Sequence, residues 1–128
     1  MTNKPDVLDA LFSDGGIFDE EEAVKALQPH LTIQRSTSKV FFKESKLSVV
    51  KKILAYALAK KLLMSRKLID SDLITAIEFK KATGINKNTI DTSFKTLKDK
   101  RFLVGKLKYE LSVHKIPTIV QMLNSNQK

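Results

Sequence analysis

The chain has no cysteine among its 128 residues. That absence excludes disulfides, thiolate zinc sites and cysteine nucleophiles, and it fits a reducing interior without demanding one. Long apolar runs are also missing. The longest, Ile53 to Ala59, is far short of the ~20 residues that cross a membrane as a helix. Met1-Thr2-Asn3-Lys4-Pro5-Asp6 has no long apolar stretch behind it, so no secretory signal is expected. The expectation is a soluble cytoplasmic protein with no membrane partner. No internal repeat or low-complexity tract interrupts the sequence, and its length suits one folded unit with an appendage.

Chemistry-bearing motifs are sparse as well. There is no glycine-rich phosphate cradle. Ser36-Thr37-Ser38-Lys39 and Ser48-Val49-Val50-Lys51 both spell Ser-x-x-Lys, but the further motifs that give that pattern catalytic meaning are absent. His30 and His114 stand alone, without the partners a metal site needs. Glu20-Glu21-Glu22 reads as the acidic first turn of a helix rather than a cation site. No enzyme activity, metal or cofactor is expected.

Acidic residues are scarce beyond residue 29, and this is informative. Residues 1–29 hold two lysines, Lys4 and Lys25, against seven acids, a balance of −5. The formal net charge is +9, so residues 30–128 carry +14. A positive field so concentrated favours a polyanion such as nucleic acid. The acidic segment could lie across that basic surface, dock through its apolar residues, or recruit a protein partner.

Pro5 to Phe12 has a short amphipathic helical pattern in Val7, Leu8, Leu11 and Phe12. Asp14-Gly15-Gly16 breaks it. Asp19 is placed to cap a helix with apolar Ala23, Val24 and Leu27, which Pro29 ends. Leu31-Thr32-Ile33 and Val40-Phe41-Phe42, separated by Arg35-Ser36-Thr37-Ser38, read as a hairpin. Ser45 to Lys67 is the strongest helix, with Val50, Ile53, Leu54, Ala57, Leu58, Leu62 and Met64 in helical register. Its centre, Ile53 to Ala59, is apolar nearly all round. Such a helix is the spine of a domain or part of a dimer interface. Phe41, Phe42 and Tyr56 could stack on bases but fit core packing better.

Thr75, followed by Glu78, starts a helix through Ile77, Phe79 and Ala82 that stops at Gly84. After Ile85-Asn86, a second helix runs from about Lys87 to Arg101 with Ile90, Phe94 and Leu97 on one face. Phe102-Leu103-Val104, a Gly105-Lys106 turn and Leu107-Lys108-Tyr109-Glu110-Leu111 complete a hairpin. A last helix, Ile116 to about Asn124, has Pro117 in its first turn and a stripe of Ile116, Ile119, Val120 and Leu123.

The order helix, short turn, helix, hairpin, together with the residues from Glu78 to Val104, resembles the winged helix-turn-helix superfamily of DNA-binding regulators. Gly84 and Ile85 match the turn, Ile90, Phe94 and Leu97 the inner face of the recognition helix, and Phe102-Leu103-Val104 the strand entering the wing. Three positions depart from the usual pattern: Lys80 where a small residue is common, Thr83 before the turn glycine, and Arg101 where a glycine often follows the recognition helix. With the inner face so set, Lys87, Asn88, Asp91, Thr92 and Lys95 point outward, and Thr89 lies near the helix start. Asparagine can read adenine, and lysine can reach guanine or phosphate. Asp91 could accept from cytosine but otherwise repels DNA. Lys106 and Lys108 in the wing are placed for phosphate or minor-groove contact.

The expectation is therefore an α+β, mostly helical protein. An acidic N-terminal segment and hairpin over 1–44 precede a winged-helix domain with a C-terminal helix over 45–128. It would act on double-stranded DNA as a transcriptional regulator, reading the major groove with 87–101 and the backbone with the 102–111 wing. A winged-helix protein–protein adaptor is the alternative, and a single-strand or RNA binder is a more distant one. Because the 53–59 and 116–123 helices exceed the needs of a minimal core, a homodimer is also expected.

Overall fold

A computed structural model describes residues 20–43, 47–69, 71–106 and 108–124. The expected helix at 5–12, the Asp19 cap and the helix start at Ser45 lie outside these residues. The described chain is α+β and mostly helical, with five helices and two antiparallel hairpins. In order they are α1 (Glu20–Leu27), β1 (Leu31–Ile33), β2 (Val40–Phe42), α2 (Val49–Ser65), α3 (Ala76–Thr83), α4 (Lys87–Asp99), β3 (Leu103–Gly105), β4 (Tyr109–Leu111) and α5 (Ile116–Asn124).

α2 is the spine. Ser48 caps it by accepting from the Lys51 backbone N–H, so the second Ser-x-x-Lys motif is a helix start. Every residue from Ile53 to Ala59 is at most 8% exposed, all of it within one chain. The cover comes from α4 on one side, α1 and α5 on others, and β4. The all-round apolar band is thus consumed intramolecularly. α5 likewise buries Ile116, Ile119 and Leu123 against α1 and α2. The two surfaces that suggested a homodimer are both occupied inside the monomer. Met64, placed in the helical register of α2, is 41% exposed, and the adjacent Leu63 is the buried residue at that end of the helix.

α1 docks through Ala23, Ala26 and Leu27. Val24, expected on the inner face, is 42% exposed, and Ala26 takes its place. Small alanines let α1 approach closely, and Glu20 fastens its start to the end of α2 by accepting from Ser65 Oγ (2.6 Å) and Arg66 (3.0 Å). Those hydrogen bonds from Ser65 and Arg66 hold the Glu20 carboxyl below its usual pKa. One continuous core includes residues of α1, β1, β2, α2, α3, α4 and α5, so packing crosses the expected 44/45 boundary.

An aromatic chain ties the two hairpins together through that core. Phe42 of β2 contacts Tyr56 of α2 and Phe79 of α3; Phe79 meets Phe94 of α4 edge-on; Phe94 stacks on Tyr109 of β4 at 4.7 Å between centroids. Phe42 and Tyr56 are packing residues. Phe41 is not, since strand alternation turns it outward and leaves it 51% exposed.

Three helices end on a left-handed residue: Lys67 (φ 58°), Gly84 (φ 75°) and Arg101 (φ 67°). At α4 the Phe102 N–H bonds back to the Leu97 carbonyl and Arg101 N–H to that of Lys98, a Schellman closure. α2 closes the same way through Leu68 to Leu63 and Lys67 to Met64. The left-handed conformation costs a non-glycine residue roughly 1–2 kcal/mol, and glycine loses part of that gain in unfolded-state entropy. Arg101→Gly is therefore expected to raise the unfolding free energy by up to about 1 kcal/mol, read as a higher midpoint in urea titration. This is the physical content of the arginine standing where a glycine is usual.

Candidate nucleic-acid interface

α3 begins with a complete capping box. Thr75 Oγ1 accepts from the Glu78 N–H, and the Glu78 carboxylate accepts from the Thr75 N–H. The helix is only one residue deep: Phe79 is fully buried, while Ile77 is 58% exposed and Ala82 is exposed. Of the three apolar residues through which this helix was expected to run, Ile77, Phe79 and Ala82, only Phe79 is buried. One large ring fills the space between α2 and α4 that several smaller side chains would otherwise share. Lys80 does not reach inward; both it and Lys81 are exposed. Thr83 serves the turn, its hydroxyl donating to the Phe79 carbonyl and accepting from the Ile85 N–H.

Asn86 caps α4, its side chain accepting from the Asn88 N–H at 2.7 Å. Thr89, which near the helix start could have capped it or contacted phosphate, is therefore not the cap; its side chain is exposed. Ile90, Ser93, Phe94 and Leu97 form the buried face. Lys87, Asn88, Thr89, Asp91, Thr92 and Lys95 are all exposed, on the opposite side. Lys87 and Asp91 form an i,i+4 ion pair at 2.9 Å. That pair neutralises Asp91 locally and also occupies Lys87. The Thr92 hydroxyl donates to the Asn88 carbonyl at 3.0 Å, which leaves its lone pairs free to accept. Lys95 has no ion pair among the described residues. Lys98, which the sequence reading left out, is exposed beyond Lys95.

The second hairpin is shifted from its expected frame. Phe102 belongs to the α4 closure, and β3 extends through Gly105. Register pairs Leu103 with Leu111 and Gly105 with Tyr109. Ile74 bridges the other edge of β4, exchanging two 2.8 Å hydrogen bonds with Tyr109. Lys106 and Lys108 are exposed at the tip. Gly105 sits at φ 129°, and a Cβ there would overlap the Lys108 backbone carbonyl. Gly105→Ala should open this hairpin at a cost above about 1 kcal/mol, seen as faster amide exchange at the paired residues Val104 and Glu110 with the α2 core still protected.

α2 clamps this unit electrostatically. Lys60 Nζ donates to Glu78 (2.7 Å) and to the Leu73 carbonyl (3.1 Å). Lys61 Nζ lies 2.6 Å from Asp72 and 2.9 Å from Glu110 on β4. Tyr56 donates its hydroxyl proton to Glu78 at 2.8 Å. Burial, then the bond to Glu78 and that carboxylate's charge, push the Tyr56 phenol well above its usual pKa, so it stays protonated. Lys60, Lys61, Arg66 and Lys87 are thus internally paired, and the exposed positive charge rests on other residues.

Among the described residues no group of three potential metal ligands comes together, and no helix is long and apolar enough to cross a membrane. His30 is buried, with Nε2 3.3 Å from the Leu123 carbonyl, where it joins β1 to α5. No family model, no curated protein and no solved structure matches the chain.

Proposed function

We propose that the chain is a double-stranded DNA-binding protein of winged-helix architecture, with α3 and α4 as the helix-turn-helix and β3–β4 as the wing, acting as a transcriptional regulator. The observation that carries the reading is α4 itself. Its inner face is fully buried and its outer face presents Asn88, Thr92, Lys95 and Lys98 to solvent, in a region carrying +14. A polar, basic helix face of this kind suits the major groove, where asparagine and lysine discriminate base edges. Lys106 and Lys108 at the hairpin tip suit the flanking backbone. The Lys87–Asp91 pair gives Asp91 a role that does not oppose DNA, because its charge is already matched.

Each phosphate neutralised adds about −0.9 to the slope of log affinity against log salt. If Lys95, Lys98, Lys106 and Lys108 engage, affinity for duplex falls on the order of a hundredfold between about 50 and 200 mM salt. Asn88→Ala should cost about 1–3 kcal/mol at the preferred site and relax sequence preference there. Lys95→Ala should weaken all duplexes alike and flatten the salt slope by about one. Both side chains are exposed, so thermal midpoints should stay within a degree or two of the parent's (roughly ±0.5 kcal/mol). Fluorescence anisotropy with a duplex selected from random DNA and with base-substituted duplexes measures the three binding outcomes, and thermal melting followed by circular dichroism measures the midpoints. Parent-like binding by both variants would remove α4 as the contact face. A chain that binds no duplex at low salt but retains protein partners after nuclease treatment would establish the adaptor role instead.

A further inference from the structure

We infer that the groove between the first hairpin, α2 and α3 is a binding site for a small organic anion with an aromatic body. It encloses about 460 Å³, within the range of small-molecule sites. Its composition has the two parts such a ligand needs. Val40, Leu63 and the half-exposed ring of Phe41 make an apolar wall. Phe41 is otherwise unexplained, since an aromatic ring left half in water gains little from folding. The polar part is cationic: Lys39, Lys60 and Lys81 line the groove against one carboxylate, that of Glu78.

The acid is already committed. Glu78 accepts from Lys60, Tyr56 and the Thr75 N–H, so it offers little to a cationic ligand. Lys39 and Lys81 have no carboxylate partner among the described residues and stand at the exposed margins of the groove. A carboxylate held by these two ammonium groups, with its ring against Phe41, satisfies both halves at once. A neutral apolar molecule would leave the charge unmatched, and an organic cation would meet the two unmatched ammonium groups of Lys39 and Lys81. The inference rests on this groove alone and holds whether or not α4 binds DNA.

The test uses the full chain, 2-naphthoate as probe, and 2-naphthalenemethanol as its neutral counterpart, by calorimetry at low salt and by amide chemical shifts. Naphthoate should bind saturably, with shifts centred on residues 39–41 and 81–82. The alcohol should bind about fivefold more weakly or less well still. Lys39→Met with Lys81→Met should bring the acid down to the alcohol's affinity, while Phe41→Ala should weaken both by about fivefold. These side chains are exposed, so the variants should keep the parent's circular dichroism and thermal midpoint. Absence of saturable binding, equal affinity for acid and alcohol, shifts centred elsewhere, or variants that bind like the parent would each overturn the assignment.

Discussion

Replacing Phe79 with alanine should lower the free energy of unfolding by about 3–5 kcal/mol, as expected for deleting a buried phenyl ring. Phe79 is fully buried, and its ring meets three others: Phe42 at 6.2 Å, Tyr56 at 5.6 Å and Phe94 at 6.3 Å. Those rings belong to β2, α2 and α4, so the cavity left behind would open at the junction of three elements. α3 contributes no other buried residue, and it cannot shift a second side chain into the gap. The site therefore collapses poorly, which puts the loss toward the upper end. Urea titration followed by circular dichroism measures it. Phe79→Leu, which keeps most of the volume, should cost less than half as much. Equal losses for the two variants would mean that ring geometry rather than volume holds the junction.

Lys61→Met should cost about 2–4 kcal/mol, because it leaves a nearly buried carboxylate without its cation. The Lys61 side chain is 11% exposed and that of Asp72 12%, whereas Glu110 is 44% exposed and can turn to water. The loss should thus arise at Asp72, and adding Asp72→Asn should recover a large part of it in a double-mutant cycle. Burial works to lower the Lys61 pKa, but its hydrogen bonds to the Asp72 and Glu110 carboxylates, with their charges, overcome it and raise the value. A lysine whose folded pKa is raised contributes stability that is fully present below its unfolded value, near 10.4. That contribution is lost as pH rises through the higher folded value. The stability gap between parent and Lys61→Met should accordingly be flat from neutral pH to about pH 10 and narrow above it.

Much of the local structure was readable from residue order. The Thr75–Glu78 box, the Gly84 stop, the Ile90–Phe94–Leu97 stripe and the first hairpin depend on neighbours within a few positions, and each occurs where the pattern placed it, while the second hairpin forms in the expected stretch with its first strand displaced by one residue. The outward position of Asn88, Thr92 and Lys95 follows from the same periodicity, because fixing one face of a helix fixes the other. The errors have a common origin. Val24 and Met64 are apolar residues set in the apolar registers of their helices, yet both are exposed, because cover depends on which neighbouring element packs against each face. Phe102 was assigned to a strand because it is apolar and aromatic, but the Arg101 reversal draws it into the helix closure.

By itself, then, the sequence determined which of the described segments are helices and hairpins, how α3 starts and stops, and which side of α4 meets solvent. These follow from hydrophobic period, capping chemistry and backbone preference, all of them short-range. Only the tertiary structure decided that the apolar band of α2 is covered within one chain, since a helix apolar all round carries no record of what surrounds it. It also decided that Lys60 and Lys61 are clamps joined to residues 18 and 49 positions away, rather than free basic surface. The groove beside Phe41 belongs to the same class. Its cations come from a hairpin and two helices, and no sequence period relates positions 39, 60 and 81; only the packing of Phe42 against Tyr56 and Phe79 brings them to one place.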